Sequence, residues 1–345
     1  MSKLFKRLSV MLLIVIIISS FMLWYQYNVF LKTPLTLTPD NATFEIKPGS
    51  NIRQVASQLE AKKLIPYGQL FLVYARLQGS AGHIKAGEYQ LEPGIKPDEL
   101  LKKFTAGQVL QYQLGIIEGK RFRDIVADIH SNPTIEKTLA ADDFQTIMSK
   151  LGADAGMQPE GWFFPDTYHF PRKTTDLEFL KRSHKAMQDY LNKAWEGRVS
   201  NPTITTPYQA LILASIVEKE TGLPEERPLV ARVFLNRLEK GMMLQTDPTV
   251  IYGIGDKYDG NIRKVDLQTD TPYNTYTRFG LPPTPIATPS KAAIDAVMHP
   301  AVSNALYFVA TTPGGASQFS ETLDQHNQAV RQYILNRKKA MEQKP

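Results

Sequence analysis

The stretch of residues 206–222 reads TPYQALILASIVEKETG and predicts a buried helix. Thr206 can cap the first turn, the proline that follows it suits the first helical position, and Gly222 is a natural stop after the last turn. Residues 210–217 are apolar apart from one serine, which is typical of a helix that is covered on most sides. Such a helix would carry a carboxylate, Glu218, at its C-terminal end.

Glu218 is the sharpest candidate for acid–base chemistry in this sequence. A carboxylate beside buried apolar side chains is poorly solvated and faces the negative end of the helix dipole, and both effects favour its protonated form. A proton held near neutral pH is what a general acid needs. Glu220 cannot share this position, because residues two apart on a helix do not face the same way. The alternative is a solvated helix end, with Lys219 as the counter-charge between the two glutamates.

A second candidate segment is residues 244–252, LQTDPTVIY. It places an amide, a carboxylate and a phenol close together, from Gln245, Asp247 and Tyr252. These groups are suited to holding a polar ligand. The alternative for Asp247, which precedes a proline, is that it only caps a turn.

Aromatic and amide side chains recur in residues 273–276, YNTY, and a proline-rich segment, GLPPTPI, follows at 280–286. We predict that Tyr273, Asn274 and Tyr276 contribute aromatic faces and an amide to the same site. Amides and aromatic faces commonly hold neutral sugars in proteins. The proline-rich segment predicts a rigid wall, and it also suits a stiff connector.

The N-terminus predicts a membrane anchor. Lys3, Lys6 and Arg7 precede an apolar run at 8–24, which approaches the roughly 20 residues needed to cross a bilayer when it is extended to residue 30. The positive flank predicts a cytoplasmic N-terminus with the remainder on the outer side of the membrane. The alternative is a cleaved signal peptide, but the run is long and no clear cleavage site follows it.

Composition excludes several kinds of site. The 345 residues contain no cysteine, which rules out disulfides, thiolate metal sites and cysteine nucleophiles. The six histidines are scattered, and no phosphate-binding loop or serine-hydrolase motif is present, so we expect neither a metal nor a cofactor. The net charge of +6 suits an anionic polymer or a lipid surface, and no motif indicates nucleic-acid binding.

Short strand–turn–helix units repeat in the first third of the chain. Each has a strand, a glycine turn and an amphipathic helix, at 44–60, 89–104 and 114–129. The first unit resembles a LysM carbohydrate-binding module, and the alternative is a βα unit without a ligand. Further helices are predicted at 70–77, 142–151, 176–193, 227–240, 291–298 and 323–339, a buried strand at 305–310, a turn at 313–315, and irregular segments at 159–168 and 242–289.

The motifs around Glu218, with residues 244–252, 273–276 and 280–286, together resemble the endolytic murein transglycosylases of the YceG-like family. The resemblance extends over nearly the whole chain and includes the segment EGWFFPDTY at 160–168. Thr284 stands where some members have a small residue.

This resemblance implies a lyase that cuts the β-1,4 bond between N-acetylmuramic acid and N-acetylglucosamine within peptidoglycan strands and so terminates or trims nascent strands. The muramic C6 hydroxyl displaces the leaving sugar, which leaves a 1,6-anhydro end and removes the need for the second carboxyl group that hydrolytic glycosidases use. Glu218 would then act alone as acid and base, with the substrate held by Gln245, Asp247, Tyr252, Tyr273, Asn274 and Tyr276. The implied location is the bacterial inner membrane, crossed once, with the catalytic domain in the periplasm, and peptidoglycan synthases are candidate partners.

The expected architecture is α+β, with an N-terminal transmembrane helix, a small LysM-like βα domain and a larger mixed α/β catalytic domain. The predicted boundaries are 1–30 for the anchor, 31–43 for a stalk, 44–110 for the LysM-like part and 111–345 for the catalytic part. Two other functions remain open: a hydrolase that pairs Glu218 with Asp247 or Glu160, and a non-catalytic peptidoglycan-binding scaffold.

Overall fold

The computed structural model describes residues 3–140, 144–154, 156–312 and 315–342. The chain divides into two compact units, Met1–Tyr112 with His169–Arg172, and Gln113–Tyr168 with Lys173–Pro345. Helices predominate, and the strands form pairs. The architecture is therefore mixed α/β with an apolar N-terminal helix, as expected, while the LysM-like nature of the first unit stays a prediction.

The first unit begins with a long helix that is followed by alternating short strands and helices. Its elements are α1 (Lys3–Lys32), β1 (Thr43–Ile46), α2 (Ile52–Ala61), α3 (Gly68–Leu77), β2 (Gly87–Gln90) and α4 (Pro97–Ala106). β1 and β2 pair antiparallel. The ring of Phe104 lies 5.7 Å from that of Phe44 and 4.7 Å from that of Tyr89, so the sheet and α4 share one aromatic core.

Residues Phe5–Lys32 of α1 are long and apolar enough to cross a membrane, with a mean hydropathy of 2.4 over the most apolar window. Length and composition are the grounds for this conclusion. The end of the helix differs from its middle, because Phe30 is buried in the core of the first unit together with Leu35.

The second unit contains the remaining elements, and the division between the units falls within its first two strands. These elements are β3 (Gln111–Gly115), α5 (Phe122–Ser131), α6 (Phe144–Lys150), β4 (Thr167–Pro171), α7 (Asp176–Glu196), α8 (Pro207–Glu220), α9 (Arg227–Glu239), α10 (Asp247–Ile254), α11 (Lys264–Gln268), α12 (Lys291–Met298), β5 (Tyr307–Ala310), β6 (Ser317–Ser320) and α13 (Leu323–Glu342). β5 and β6 pair antiparallel.

Helix α8 is the centre of the second unit and packs against α7, α9, α10 and α12. Residues 210–217 are all buried, as the sequence predicts. The hydroxyl of Thr206 accepts a hydrogen bond from the backbone N–H of Gln209 at 3.2 Å, which confirms the predicted cap. Because apolar neighbours surround α8, its direction and its end are fixed by packing on every side.

The structure corrects the predicted irregular segment at 242–289, which contains α10 and α11. α10 begins at Asp247 with Pro248 in its first turn, where a missing N–H costs nothing, so this proline starts a helix instead of breaking one. The predicted loop at 159–168 ends where β4 begins. β5 starts two residues later than predicted and is half-buried. The predicted helix at 142–151 begins outside the described residues. Two of the three residues of the predicted turn at 313–315 also lie outside them.

Candidate active site

The structure places Glu218 in a structural contact between three helices. Its carboxylate accepts hydrogen bonds from the backbone N–H of Ser290, at 2.9 Å, and from the Ser290 hydroxyl. The guanidinium of Arg227, the first residue of α9, lies 3.6 Å from its other oxygen. The Glu218 side chain is 5% exposed and that of Arg227 is 12% exposed. Glu218 therefore joins the end of α8 to the starts of α9 and α12.

Glu220, two residues further along, lies in a different environment. Its side chain lines a cavity of about 500 Å³, and its carboxylate accepts a hydrogen bond from the hydroxyl of Thr246. Burial raises the pKa of Glu220 to about 7, and the nearby negative charge of Asp247 contributes in the same direction. Glu220 thus has the property that the sequence suggested for Glu218: it is a carboxyl group that holds its proton near neutral pH.

The cavity beside Glu220, called cavity A, brings together three of the predicted substrate-binding residues. Its wall comes from the end of α8, from α9, from the residues before and within α10, and from β5 and α13. The lining residues are Glu220, Phe234, Arg237, Leu244, Gln245, Asp247, Tyr276, Tyr307, Phe308, Leu323, His326 and Asn327.

A phenol and a carboxylate are paired in cavity A. The hydroxyl of Tyr276 donates a hydrogen bond of 2.6 Å to Asp247, the first residue of α10. Burial and this hydrogen bond raise the pKa of Tyr276, so the phenol keeps its proton. Asp247 lies where the partial positive charge of the α10 N-terminus stabilises a carboxylate. Glu220, in contrast, lies at the C-terminal end of α8.

Arg237 supplies a positive charge to cavity A from α9. Its guanidinium donates to the backbone carbonyl oxygens of Leu306 and Leu244, each at 2.7 Å, and lies 5.2 Å from the ring centre of Tyr307. Burial lowers the pKa of Arg237, and the charge of Glu220 opposes that shift. A fixed cation near Glu220 stabilises the carboxylate form that remains after a proton is given away.

Gln245 has a backbone φ of 50°, a left-handed conformation that residues other than glycine rarely adopt. Its N–H donates to the carbonyl of Thr275 at 3.1 Å, and the next N–H, of Thr246, donates to the Thr275 hydroxyl at 3.1 Å. These bonds attach the segment before α10 to the 273–276 segment. They hold the hydroxyl of Thr246 against Glu220.

Tyr252 and Tyr273 lie in a second cavity, called cavity B, of about 310 Å³. Their rings meet edge to face, with centres 4.8 Å apart. The hydroxyl of Tyr252 donates to Glu160 at 3.1 Å, and that of Tyr273 bonds to the Thr284 hydroxyl at 2.9 Å. The lining residues are Arg121, Phe122, Arg123, Gln158, Pro159, Glu160, Tyr252, Gly255, Tyr273 and Thr284.

Glu160 is a second buried carboxyl group with an altered proton affinity. It is 6% exposed, and it accepts a 3.0 Å hydrogen bond from the backbone N–H of Phe122 at the start of α5. Burial raises the pKa of Glu160 to about 7, although its hydrogen bonds oppose that shift. The next residue, Gly161, has a φ of 81°, and an added Cβ there would lie 2.6 Å from the Cβ of Pro285.

Asn274 holds the chain and does not line either cavity. It is 1% exposed, and its amide donates to the carbonyl oxygens of Asp266, Leu267 and Thr269 while accepting from the N–H of Tyr276 at 2.9 Å. We therefore interpret Asn274 as the residue that orders the loop on which Tyr273 and Tyr276 lie.

No sequence pattern marked Glu220 or Arg237 as lining residues of a cavity, and Glu160 was expected only as a partner of Glu218 in a hydrolase. The spacing of Glu218 and Glu220 showed that their side chains lie on different faces of the helix. Because the helix is apolar all round, its sequence does not show which of these faces borders a cavity. Arg237 lies on a helix with little separation of polar and apolar faces, so no pattern marked it as buried.

Comparisons with known proteins agree on one family. A model of the YceG-like family matches residues 44–332. An endolytic murein transglycosylase from Bacillus subtilis is 32% identical over 313 residues, which cover 85% of this chain and 84% of the relative. An endolytic murein transglycosylase from Streptococcus pneumoniae is 29% identical and covers 90% of this chain, which spans 62% of that longer relative.

The solved structures include a similar fold. The crystal structure of a YceG-like protein from Listeria monocytogenes matches 83% of this chain and 97% of its own, with a TM-score of 0.52 and 30% identity. The family model covers most of the chain, and the segments that form cavity A and cavity B all lie within the matched residues. The protein therefore belongs to the YceG-like family.

Proposed function

We propose that the protein is a membrane-anchored lytic transglycosylase with Glu220 as its acid and base. It cuts the β-1,4 bond between N-acetylmuramic acid and N-acetylglucosamine within peptidoglycan strands and leaves 1,6-anhydro ends. The general activity, lytic cleavage of peptidoglycan, is supported by the names of the relatives. The choice of Glu220 in place of Glu218 comes from the geometry.

One observation carries this choice: Glu220 is the carboxyl group with a pKa of about 7 that lines cavity A together with Gln245, Asp247 and Tyr276. Glu218 is held by Arg227 and Ser290, so a proton transfer by Glu218 would have to break a contact between three helices. A general acid works best when its pKa lies near the working pH and its proton can reach the substrate.

In the first half of the proposed reaction, protonated Glu220 gives its proton to the glycosidic oxygen as the bond to the muramic C1 breaks. The leaving sugar departs with a hydroxyl group, and positive charge develops at C1. The new Glu220 carboxylate is stabilised by the charge of Arg237 and by the hydroxyl of Thr246. Asp247, fixed by Tyr276, adds a negative charge that favours the developing cation.

In the second half, the Glu220 carboxylate takes the proton of the muramic C6 hydroxyl as that oxygen bonds to C1. The ring closes to the 1,6-anhydro product, Glu220 is protonated again, and no water is consumed. One carboxyl group suffices because the proton that it lends is returned by the same substrate. This agrees with the raised pKa of Glu220, which lines cavity A.

We further propose that α1 anchors the protein in the bacterial inner membrane with its N-terminus in the cytoplasm and the second unit in the periplasm. The apolar span supports anchoring, and Lys3, Lys6 and Arg7 before it support the orientation. The first unit remains a candidate LysM-like glycan-binding module, which is supported by its strand–turn–helix units.

The test is mass analysis of products from purified glycan strands. We expect 1,6-anhydro ends from the wild-type protein and almost none from Glu220→Gln, while Glu225→Gln, an exposed carboxylate on the next loop, serves as the matched control. Full activity in a folded Glu220→Gln variant would overturn the assignment.

A hydrolase is the second candidate, because Asp247 lines the same cavity as Glu220 and could activate a water molecule. Cleavage in ¹⁸O-labelled water separates the two. A labelled reducing end supports the hydrolase, whereas an unlabelled anhydro end supports the transglycosylase. A wild-type protein that binds strands without cutting them would instead support the scaffold function.

A further inference from the structure

Cavity B contains a titratable group that the proposed reaction does not use. Glu160 is almost fully buried, its pKa is raised, and its carboxyl group touches a phenol, Tyr252, on the cavity wall. A buried carboxyl group of this kind has to be held in place at some cost in stability, since it loses hydration. Its position beside a cavity of about 310 Å³ suggests a binding role.

The charges around cavity B are already balanced, which decides the class of ligand. Arg121 is held by Asp124 through contacts of 3.0 and 3.2 Å, and Arg123 is paired with Asp256. Both guanidinium groups therefore have a carboxylate partner. A carboxylate or phosphate ligand would have to compete with these partners, so the cavity favours a neutral ligand.

The remaining groups are suited to a sugar ring. Tyr252 and Tyr273 provide an aromatic corner, while Gln158, Thr284 and the carboxyl group of Glu160 provide hydrogen-bond donors and acceptors. Aromatic faces with a few polar groups are the usual composition of a pocket for a compact polar ligand. The volume suits one ring with its acetamide group and is small for two linked rings.

The hydrogen bonds within cavity B fix its shape. Glu160 is held by the N–H of Phe122, and Thr284 is held by Tyr273 and by its own contact with the carbonyl of Pro285 at 2.8 Å. A site whose polar groups are already positioned loses little entropy when a ligand binds. Cavity B is therefore organised before any ligand arrives.

We infer that cavity B is a second saccharide site, in which Glu160, Tyr252 and Thr284 hold one N-acetylated sugar ring of a glycan strand away from the Glu220 carboxyl group. The ligand class rests on the proposed function. A glycan strand that is cut internally has N-acetylated sugar rings on both sides of the cut, so such a ring is available to a second site. A strand that is long enough to occupy both cavities would bind more tightly than a shorter strand.

The experiment measures binding of the β-1,4-linked tetramer of N-acetylglucosamine to the full chain in detergent by calorimetry. Glu220→Gln serves as the background so that the probe is not cut. We expect Glu160→Gln and Tyr252→Phe to weaken binding about fivefold to tenfold. Glu136→Gln, the same change as Glu160→Gln at an exposed residue of the second unit, should leave binding unchanged. Thr284→Val is a nearly isosteric third variant for use if Glu160→Gln fails to fold.

A photoreactive form of the same tetramer locates the site directly. We expect labelled peptides that contain Tyr252 or Tyr273, and less labelling in Thr284→Val. Equal affinities in all folded variants, with labelling confined to cavity A, would overturn the inference. Displacement of the tetramer by a free stem peptide, with the same variants affecting peptide binding, would also overturn it, because the site would then be a peptide site.

The outcome is separable from that of the proposed function. If the wild-type protein cuts strands but the cavity B variants bind the tetramer normally, the second saccharide site is wrong and the reaction stands. If the wild-type protein never cuts strands but these variants lose the tetramer, the site stands and the proposed reaction is wrong.

Discussion

The two faces of the last turn of α8 show how differently the same side chain can be used two residues apart. On one face Glu218 meets a guanidinium, a hydroxyl and a backbone N–H, all of which stabilise its charge. On the other face Glu220 meets the hydroxyl of Thr246 and the opposite charges of Asp247 and Arg237, and burial raises its pKa to about 7. Two carboxylates at one helix end therefore have quite different neighbours.

The largest expected difference between the two faces is in catalysis. Glu220→Gln removes the transferable proton, so we expect the rate of anhydro-end formation to fall by about 10² to 10⁴, the usual contribution of a general acid. Glu218→Gln keeps much of the contact with Ser290, so its rate should stay within about tenfold of wild type. The rates of both variants are measured on purified strands, well below the unfolding temperature of each variant. Loss of activity in Glu218→Gln alone would reverse the comparison.

The next difference is in stability. Glu218→Ala leaves the buried guanidinium of Arg227 and the N–H of Ser290 without their acceptor, so we expect the free energy of unfolding to fall by about 3 kcal/mol. Urea unfolding measures this change. The exposed Glu225→Ala should differ from wild type by less than about 0.5 kcal/mol. A neutral Glu218→Ala would show that the three-helix contact contributes nothing.

A third difference concerns pH. In the unfolded chain Glu220 has an ordinary pKa near 4.5, whereas its folded pKa is about 7. Between these values the unfolded state releases its proton first, so the free energy of unfolding falls as pH rises and levels off above about 7. We expect a loss of about 2 kcal/mol from this residue, which is less than the full pKa shift corresponds to because the Glu220 side chain is only partly buried. In Glu220→Gln this loss should be absent between pH 4.5 and 8, and an unchanged profile would contradict the raised pKa.

The smallest expected effect concerns the influence of Asp247 on the pKa of Glu220. Asp247 raises the pKa of Glu220 through its charge, so Asp247→Asn should lower it. We expect the alkaline limb of kcat/KM against pH to move down by about half a pH unit, in addition to any loss of rate. Tyr276→Phe, which removes the hydrogen bond but keeps the Asp247 charge, is the control and should leave the limb in place.

Sequence patterns predicted most of the helices because caps and apolar spacing are local signals. The start of α8 at Thr206, the burial of residues 210–217 and the turn at Gly119 before α5 were all readable in this way. The YceG-like family was recognisable from long motifs. The fold around α8 could thus be anticipated in outline.

The orientation of α8 could not be predicted, because a helix with apolar neighbours on all sides has no side that its sequence marks as inner or outer. Whether Glu218 or Glu220 meets a cavity depends on how α9 and α12 pack, and those contacts join residues about 70 positions apart, such as Glu218 and Ser290. The start of α10 was missed for another reason: an Asp-Pro pair suits both a turn and the first residues of a helix.

Gly161 links the wall of cavity B to the centre of the second unit. The segment that it touches at Pro285 continues to Ile286, whose N–H donates to the Ser215 hydroxyl in the middle of α8 at 3.0 Å. A single methyl group at position 161 would push this segment away and pull on both Thr284 and α8. The width of cavity B and the seating of α8 are therefore set together by the absence of one carbon atom.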